Sequence, residues 1–164
     1  MSQRALWERY KKYLCVSPSV GFALDISRMN FTEDFLELRR QVLRGLHAAG
    51  APLLVGSDSP QLFMVTGFAL HREMAAQVAA GLPPLVVLQA ATRNAAAYFG
   101  ESDQWGSVAA GQRADLLLLN GNPLEDIQLA RAIAGVMVRG QWLPKSELDA
   151  RLDQVATAAK AAGK

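Results

Sequence analysis

The sequence predicts an α/β protein whose last third turns into a small run of strands. One observation is the five-residue apolar run APLLV at 51–55, which lies between two segments of helical periodicity. A short apolar run without alternation is typical of a parallel strand that is buried on both faces. The other observation is a change near residue 105, where short apolar segments separated by glycine-containing turns replace the helical pattern. Together they indicate β/α units followed by a β-rich portion.

The composition is that of an ordinary globular protein. The 164 residues are enough for one domain with a core, and 51% hydrophobic and 20% charged residues with a net charge of +2 are unremarkable values. We therefore expect neither a nucleic-acid partner nor a membrane partner, and no apolar run reaches the length of a membrane span. The single cysteine, Cys15, excludes an intrachain disulfide and is typical of a reducing compartment. A cytoplasmic location is expected, unless the true N-terminus, with any signal peptide, is missing.

The first strong helical pattern covers 33–49. Thr32 is a favourable N-cap, and Glu33 in the first turn suits the helix dipole. Apolar side chains then recur at helical spacing, and Gly50 is placed to end the helix. A weaker helical pattern at 3–14 precedes it, and the mixed sequence between the two predicts no particular element.

Three shorter helices are predicted after the strand at 51–55 and an irregular loop. The first covers 67–80 and ends at Gly81. Pro83 and Pro84 open the second, since proline is tolerated in the first turn of a helix. Asn94 is expected to cap the third, which stops at Gly100.

Strands are predicted for the segments WGSV, ADLLLLN and IAGVMVRGQWL, which begin at residues 105, 114 and 133. Arg139 and Gly140 lie where a hairpin turn would fall in the last of these segments. Residues 146–164 predict a tail helix.

Several of these segments, taken in order, resemble the C-terminal part of the amidohydrolase superfamily, and most closely its imidazolonepropionase-like and prolidase-like metal hydrolases. The segments are GAPLLVGSDSP, GFALHREM, AAGLPPLVVLQAATRNAAAYFG, GSVAAGQRADLLLLNGNPLEDI and VMVRGQWL, and the resemblance runs from about residue 43 to 143. The most specific motif is G-S-x-x-x-G-x-x-A-D, formed by Gly106, Ser107, Gly111, Ala114 and Asp115.

The resemblance implies the fold of that family, a (β/α)8 barrel with a small composite β-sandwich built from both chain ends. Residues 1–104 would supply the terminal β/α units of the barrel, 105–145 the trailing sandwich strands, and 146–164 the tail helix. The family holds its metals, commonly zinc, with a His-x-His pair, often a carboxylated lysine, two later histidines and an aspartate after the last strand. Asp58 matches that aspartate, which implies a metal ligand and catalytic general base.

The remaining candidates have weaker support. In relatives the histidine that matches His71 lies near the substrate end of the pocket, and the alternative is a histidine that packs on the loop or is exposed. Ser57, Ser59 and Gln61 are candidates for substrate contact at the mouth of the pocket, although the two serines are more simply interpreted as capping and turn residues. His47 and Asp115 are interpreted as structural residues. Without the resemblance, Asp58 would be interpreted as an aspartate that satisfies backbone amides in a tight turn.

The chain also departs from the family pattern. It contains two histidines and no His-x-His pair, and a complete barrel needs roughly 200 residues or more. We therefore expect a C-terminal fragment of a metal-dependent hydrolase that acts on amide or cyclic amide bonds, inactive and without bound metal on its own. It would associate with itself or with a chain that carries the missing strands. The alternatives are a non-catalytic product of a truncated or split gene that docks with a partner chain, and an unrelated α/β binding module with a self-contained core.

Overall fold

The computed structural model describes residues 14–17, 21–24, 33–57, 59 and 65–162. The chain divides into two compact units, Met1–Leu43 and Arg44–Lys164. The first contains an antiparallel pair, β1 (Leu14–Ser17) and β2 (Gly21–Leu24), which lies where the sequence predicted no particular element. Residues 3–13 of the helix predicted at 3–14 lie outside the described residues, and Leu14 begins β1 instead.

Helix α1 (Glu33–Ala48) begins in the first unit, ends in the second, and confirms the predicted helix. Gly50 has a φ of 72°, and its N–H donates to the carbonyl of His47, while the N–H of Ala51 donates to that of Leu46. This pair of bonds is a Schellman motif, which needs a left-handed residue at the position of Gly50. The predicted cap, Thr32, lies outside the described residues.

Three helices follow in the second unit: α2 (Phe68–Ala79), α3 (Pro84–Ala90) and α4 (Arg93–Tyr98). They confirm the three predicted helices, and Leu82 and Val87 are the largest fully buried side chains among the described residues. The predicted role of Asn94 as a cap is wrong, because α4 begins at Arg93, two residues earlier than that role requires, and Thr92 occupies the cap position. The Asn94 side chain instead donates to the carbonyl of Leu53 at 3.0 Å.

The predicted strand at 51–55 is not formed. No residue of 51–57 is buried, and half-buried and exposed positions alternate along the segment. Hydrogen bonds connect it to helix residues: the N–H of Val55 donates to the carbonyl of Ala90 at 3.3 Å, and the carbonyl of Leu54 accepts from the Gln77 side chain. A strand requires a neighbouring extended backbone, and the part of the chain that the structure describes places none beside this segment. The prediction of a strand buried on both faces is therefore wrong for this structure.

A three-stranded antiparallel sheet lies near the end of the second unit. It contains β3 (Leu116–Leu119), β4 (Ile133–Val138) and β5 (Gln141–Pro144), in that order, with a 3-10 helix at Ile127–Arg131 before β4. The predicted hairpin turn is confirmed, since Arg139 and Gly140 have φ values of 49° and 82°, as a type I′ turn requires. The tail helix is confirmed as α5 (Lys145–Ala162).

The strand predicted at 105–108 is wrong, because this segment is an irregular turn. Gly106 has a φ of 95°, and a Cβ built on it would lie 2.7 Å from the Cβ of Ala96. The backbone therefore approaches α4 too closely, and in the wrong conformation, for a regular strand.

No helix among the described residues is long and apolar enough to cross a membrane.

Candidate functional site

Two of the three predicted site residues, Asp58 and Gln61, lie outside the described residues. The serines on either side of Asp58 are described, and both are half-buried. The hydroxyl of Ser57 donates to that of Ser59 at 3.2 Å. This bond is compatible with the capping and turn-forming role that was the more ordinary interpretation of the two serines.

Two side-chain amides bind the backbone of the 51–57 segment. Gln77 is 4% exposed, and its Nε2 donates to the carbonyl of Leu54 at 3.3 Å and to Oε1 of Glu73 at 3.0 Å. Asn94 donates to the adjacent carbonyl of Leu53. The two amides thus occupy backbone acceptors that a neighbouring strand would otherwise use. The sequence analysis did not single out Gln77, although it is the single polar residue in the run AAQVAA, and it assigned Asn94 a different role.

His71 lies in the first turn of α2 and lines a cleft of about 490 Å³. The cleft is bounded by the start of α2, the end of the 3-10 helix, the start of β4 and the first two turns of α5. Its apolar walls include Phe68, Ile133, Leu148 and Leu152, and its polar groups include Arg131, Lys145 and Asp149. The cleft lies entirely within the second unit. The predicted contact of His71 with a substrate stays a prediction.

Burial lowers the pKa of His71, and the positive charge of Arg131 lowers it further. Both effects favour the neutral imidazole at neutral pH. Its Nδ1 atom is shielded from solvent and has no hydrogen-bond partner among the described residues. His71 therefore lines the cleft while its Nδ1 atom stays covered by protein.

The charges around the cleft are unequal. The Nζ of Lys145 lies 2.8 Å from both carboxylate oxygens of Asp149, so these two charges offset each other. Within the described part of the chain, no carboxylate lies within ion-pair distance of Arg131. Helix α2 also begins without a side-chain cap and without an acidic residue in its first turn. This end of the cleft is therefore electropositive.

The described residues do not form a metal site, because they contain no group of three or more histidine, cysteine, aspartate or glutamate side chains that could hold an ion. Asp115, the acid of the family-like motif, instead closes the hairpin turn. One carboxylate oxygen accepts from the N–H of Arg139 at 2.7 Å, and the other from Nε of Arg113 at 2.5 Å. These bonds, the Arg139 bond first, lower the pKa of Asp115. His47 lies in the last turn of α1, where an imidazole suits the helix dipole.

Comparison with known proteins gives one family match. The model of the amidohydrolase family matches residues 12–143. The match includes the 51–57 segment, helices α2 to α4 and the three-stranded sheet.

Individual relatives match shorter stretches. An adenine deaminase of Methylobacterium nodulans is 38% identical over 98 residues, which are 54% of this chain and 17% of the deaminase. The crystal structure of a candidate prolidase from Bifidobacterium longum is 37% identical, with a TM-score of 0.59 over 70% of this chain and 30% of the other. A glucose-6-phosphate isomerase of Geotalea daltonii is 48% identical over 44 residues, 27% of this chain and 8% of the isomerase. The chain thus spans less than a third of each of these proteins.

Proposed function

The chain belongs to the amidohydrolase family, and from that premise we propose that it forms the C-terminal part of a metal-dependent hydrolase acting on carbon–nitrogen bonds. The similarity to an adenine deaminase and to a candidate prolidase supports this reaction class, since both names describe cleavage of such bonds. The single observation that carries the proposal is the family match over 12–143. The same match argues against an unrelated α/β binding module.

We assign the 51–57 segment to the last strand of the family barrel, without its strand neighbours. Its alternating exposure is that of an extended chain, and two of its carbonyls accept from the side-chain amides of Gln77 and Asn94. Residues 1–104 would then be barrel units, 105–145 part of the composite sandwich and 146–164 the tail helix. The sheet β3–β4–β5 and helix α5 fit the last two assignments.

In the assembled enzyme, Asp58 would be a metal ligand and the general base, with His71 and Gln61 near the substrate. The described residues do not supply a metal site, and the whole sequence contains only two histidines. A catalytic zinc typically takes three protein ligands, so this chain alone does not fit a catalytic metal. Other parts of the enzyme would supply the remaining metal ligands. Those parts would also determine the substrate specificity.

The test combines the 164-residue chain with a polypeptide from the same genome that carries barrel strands and a His-x-His pair. We expect metal-dependent hydrolysis of dipeptides or deamination of adenine by the pair, and loss of that activity in Asp58→Asn. The control is Asp103→Asn, which changes an exposed aspartate in a turn of the same chain. Metal-dependent turnover by the chain alone, or stoichiometric zinc binding that Asp58→Asn abolishes, would contradict the proposal that this chain holds only part of the metal site.

The second candidate is a non-catalytic chain that docks with a partner. The observation in its favour is the edge strand β3, where Leu117 and Leu118 are 58% and 56% exposed. Exposed apolar strand edges are typical pairing sites. Stable association with the barrel polypeptide but no activity in either partner would support this candidate over the first.

A further inference from the structure

We infer that the 490 Å³ cleft beside α2 binds a small organic anion with an apolar tail, of the class of medium-chain carboxylates. Nothing in the family match assigns a ligand to this cleft. The inference does not depend on the proposed hydrolase function, because every group that it uses lies within the described residues of this chain and no metal is involved.

The size and walls of the cleft fit a small molecule. Pockets for small ligands measure about 300–1,000 Å³ and are lined mainly by apolar side chains with a few convergent polar groups. The volume here is about 490 Å³. Phe68 and Leu152 line it and remain more than half exposed. An apolar tail between them would remove both side chains from water.

The charge distribution selects an anion. Arg131 projects to the cleft without a carboxylate partner among the described residues, whereas Lys145 and Asp149 offset each other. Arg131 also lines a smaller cavity of about 160 Å³, which it shares with Phe68 and Arg72. Two arginines therefore lie beside Phe68 at the uncapped start of α2, and Arg131 is the one that also lines the larger cleft. A guanidinium binds a carboxylate through two parallel charge-assisted hydrogen bonds, which are stronger than its bonds to a neutral oxygen and which an ammonium group cannot accept.

His71 is half-buried and lines the same cleft as Arg131. Its Nδ1 is shielded from solvent and has no hydrogen-bond partner among the described residues, so a ligand oxygen would reach it only if the imidazole rotated and Nδ1 carried the ring proton. The carboxylate end of the ligand is therefore placed at Arg131, and its tail toward Leu148 and Leu152.

The test measures binding of hexanoate to the full 164-residue chain by calorimetry. Hexylammonium has the same tail with the opposite charge, and acetate has the same charge with almost no tail. We expect saturable binding of one hexanoate per chain, and binding of the two other probes weaker by about tenfold or more. Hexylammonium cannot accept the charge-assisted hydrogen bonds, and acetate buries almost no apolar surface. Equal binding of hexanoate and hexylammonium, or no saturable hexanoate signal, would overturn the inference.

Two matched pairs of variants locate the site. Arg131→Gln should weaken hexanoate binding by about tenfold, whereas Arg93→Gln, an equal charge change on an exposed residue away from the cleft, should leave it unchanged. Leu152→Asp should abolish binding by repulsion, whereas Val155→Asp should not, since Val155 lies on the same helix but does not line the cleft. Both of these positions are exposed, at 54% and 67%, so their variants remain informative if Arg131→Gln fails to fold. Equal effects within both pairs would refute the site.

Discussion

At the residue scale, the glycines of the G-S-x-x-x-G-x-x-A-D motif explain why it is a structural signature. Gly106 and Gly111 both have positive φ values, 95° and 87°, which residues that carry a side chain rarely adopt. They differ in their surroundings: a Cβ on Gly106 would meet Ala96 at 2.7 Å and the carbonyl oxygen of Thr92 at 3.2 Å, whereas a Cβ on Gly111 would meet nothing within 4 Å. A side chain at position 111 would therefore cause backbone strain alone, whereas one at position 106 would cause both backbone strain and steric overlap.

We predict that Gly111→Ala lowers the free energy of unfolding by about 1–2 kcal/mol, the usual cost of a left-handed alanine. Gly106→Ala should cost about 1–3 kcal/mol more, because the new methyl group also overlaps α4. Urea unfolding of the two variants and the parent chain measures the difference. Equal losses in the two variants would mean that α4 and the motif loop separate easily, contrary to the packing described above.

Asp115 gives a pH-dependent prediction. The N–H of Arg139, and then the side chain of Arg113, lower the pKa of Asp115 below its usual value. The folded state therefore binds fewer protons than the unfolded state, and the carboxylate contributes stability that is present above about pH 4 and is lost as the pH falls through the lowered pKa.

The difference in unfolding free energy between the parent chain and Asp115→Asn should accordingly be constant near neutral pH and shrink on acidification. Urea unfolding at a series of pH values measures it. A difference that persists in strong acid would show that the carboxylate charge is not what holds the turn.

At the scale of elements, the 51–57 segment depends on side chains from the helices rather than on a strand partner. Asn94 holds the carbonyl of Leu53, and removal of such a bond costs about 1 kcal/mol, which exceeds the gain in helix propensity from an alanine. We predict that Asn94→Ala destabilises the chain, while Arg93→Ala, the exposed neighbour in the same helix, is neutral or slightly stabilising. If the two variants unfold at the same urea concentration, the amide bond does not contribute to stability.

The ends of helices and the hairpin turn are the features that the sequence predicts correctly. The ends of α1 and α2 could be predicted because their signal is local: Gly50 and Gly81 each supply the left-handed residue that a Schellman motif requires. The turn at Arg139 and Gly140 was predictable for the same reason. The 51–55 strand was not, because a strand exists only with a partner whose position the local sequence does not contain.

The failures at 105–108 and at Asn94 have a related cause. WGSV carries apolar residues, but the contact of Gly106 with α4 decides its conformation. Asparagine is a favourable cap residue, yet Asn94 lies inside α4, where its side chain donates to the carbonyl of Leu53, which is distant in sequence. For the candidate site, sequence resemblance pointed to Asp58 and Gln61, while the cleft around His71 could not be predicted because α2, the 3-10 helix and α5 are brought together only by folding.

At the scale of the whole molecule, the amount of exposed apolar surface determines the expected behaviour in solution. In the described part of the chain, β3 has one neighbouring strand, so its other edge presents unpaired N–H and C=O groups beside exposed leucines. An orphan polar group costs about 1–3 kcal/mol when buried, and a domain keeps only about 5–15 kcal/mol of net stability. Pairing of this edge with a second chain satisfies the backbone groups and covers the leucines at once.

We therefore predict that the purified chain self-associates and that a charge on the β3 edge opposes this. Leu117→Lys should shift the sedimentation profile toward the monomer, because charged side chains on an edge strand disfavour further pairing. Val108→Lys is the matched control, since Val108 is 88% exposed but lies in a loop outside the sheet, and it should sediment like the parent chain. Near-UV circular dichroism checks that the aromatic packing of the variants is that of the parent. A parent chain that sediments as a sharp monomer with fixed aromatic signals and a cooperative melt would contradict the prediction and would mean that the described core is sufficient by itself.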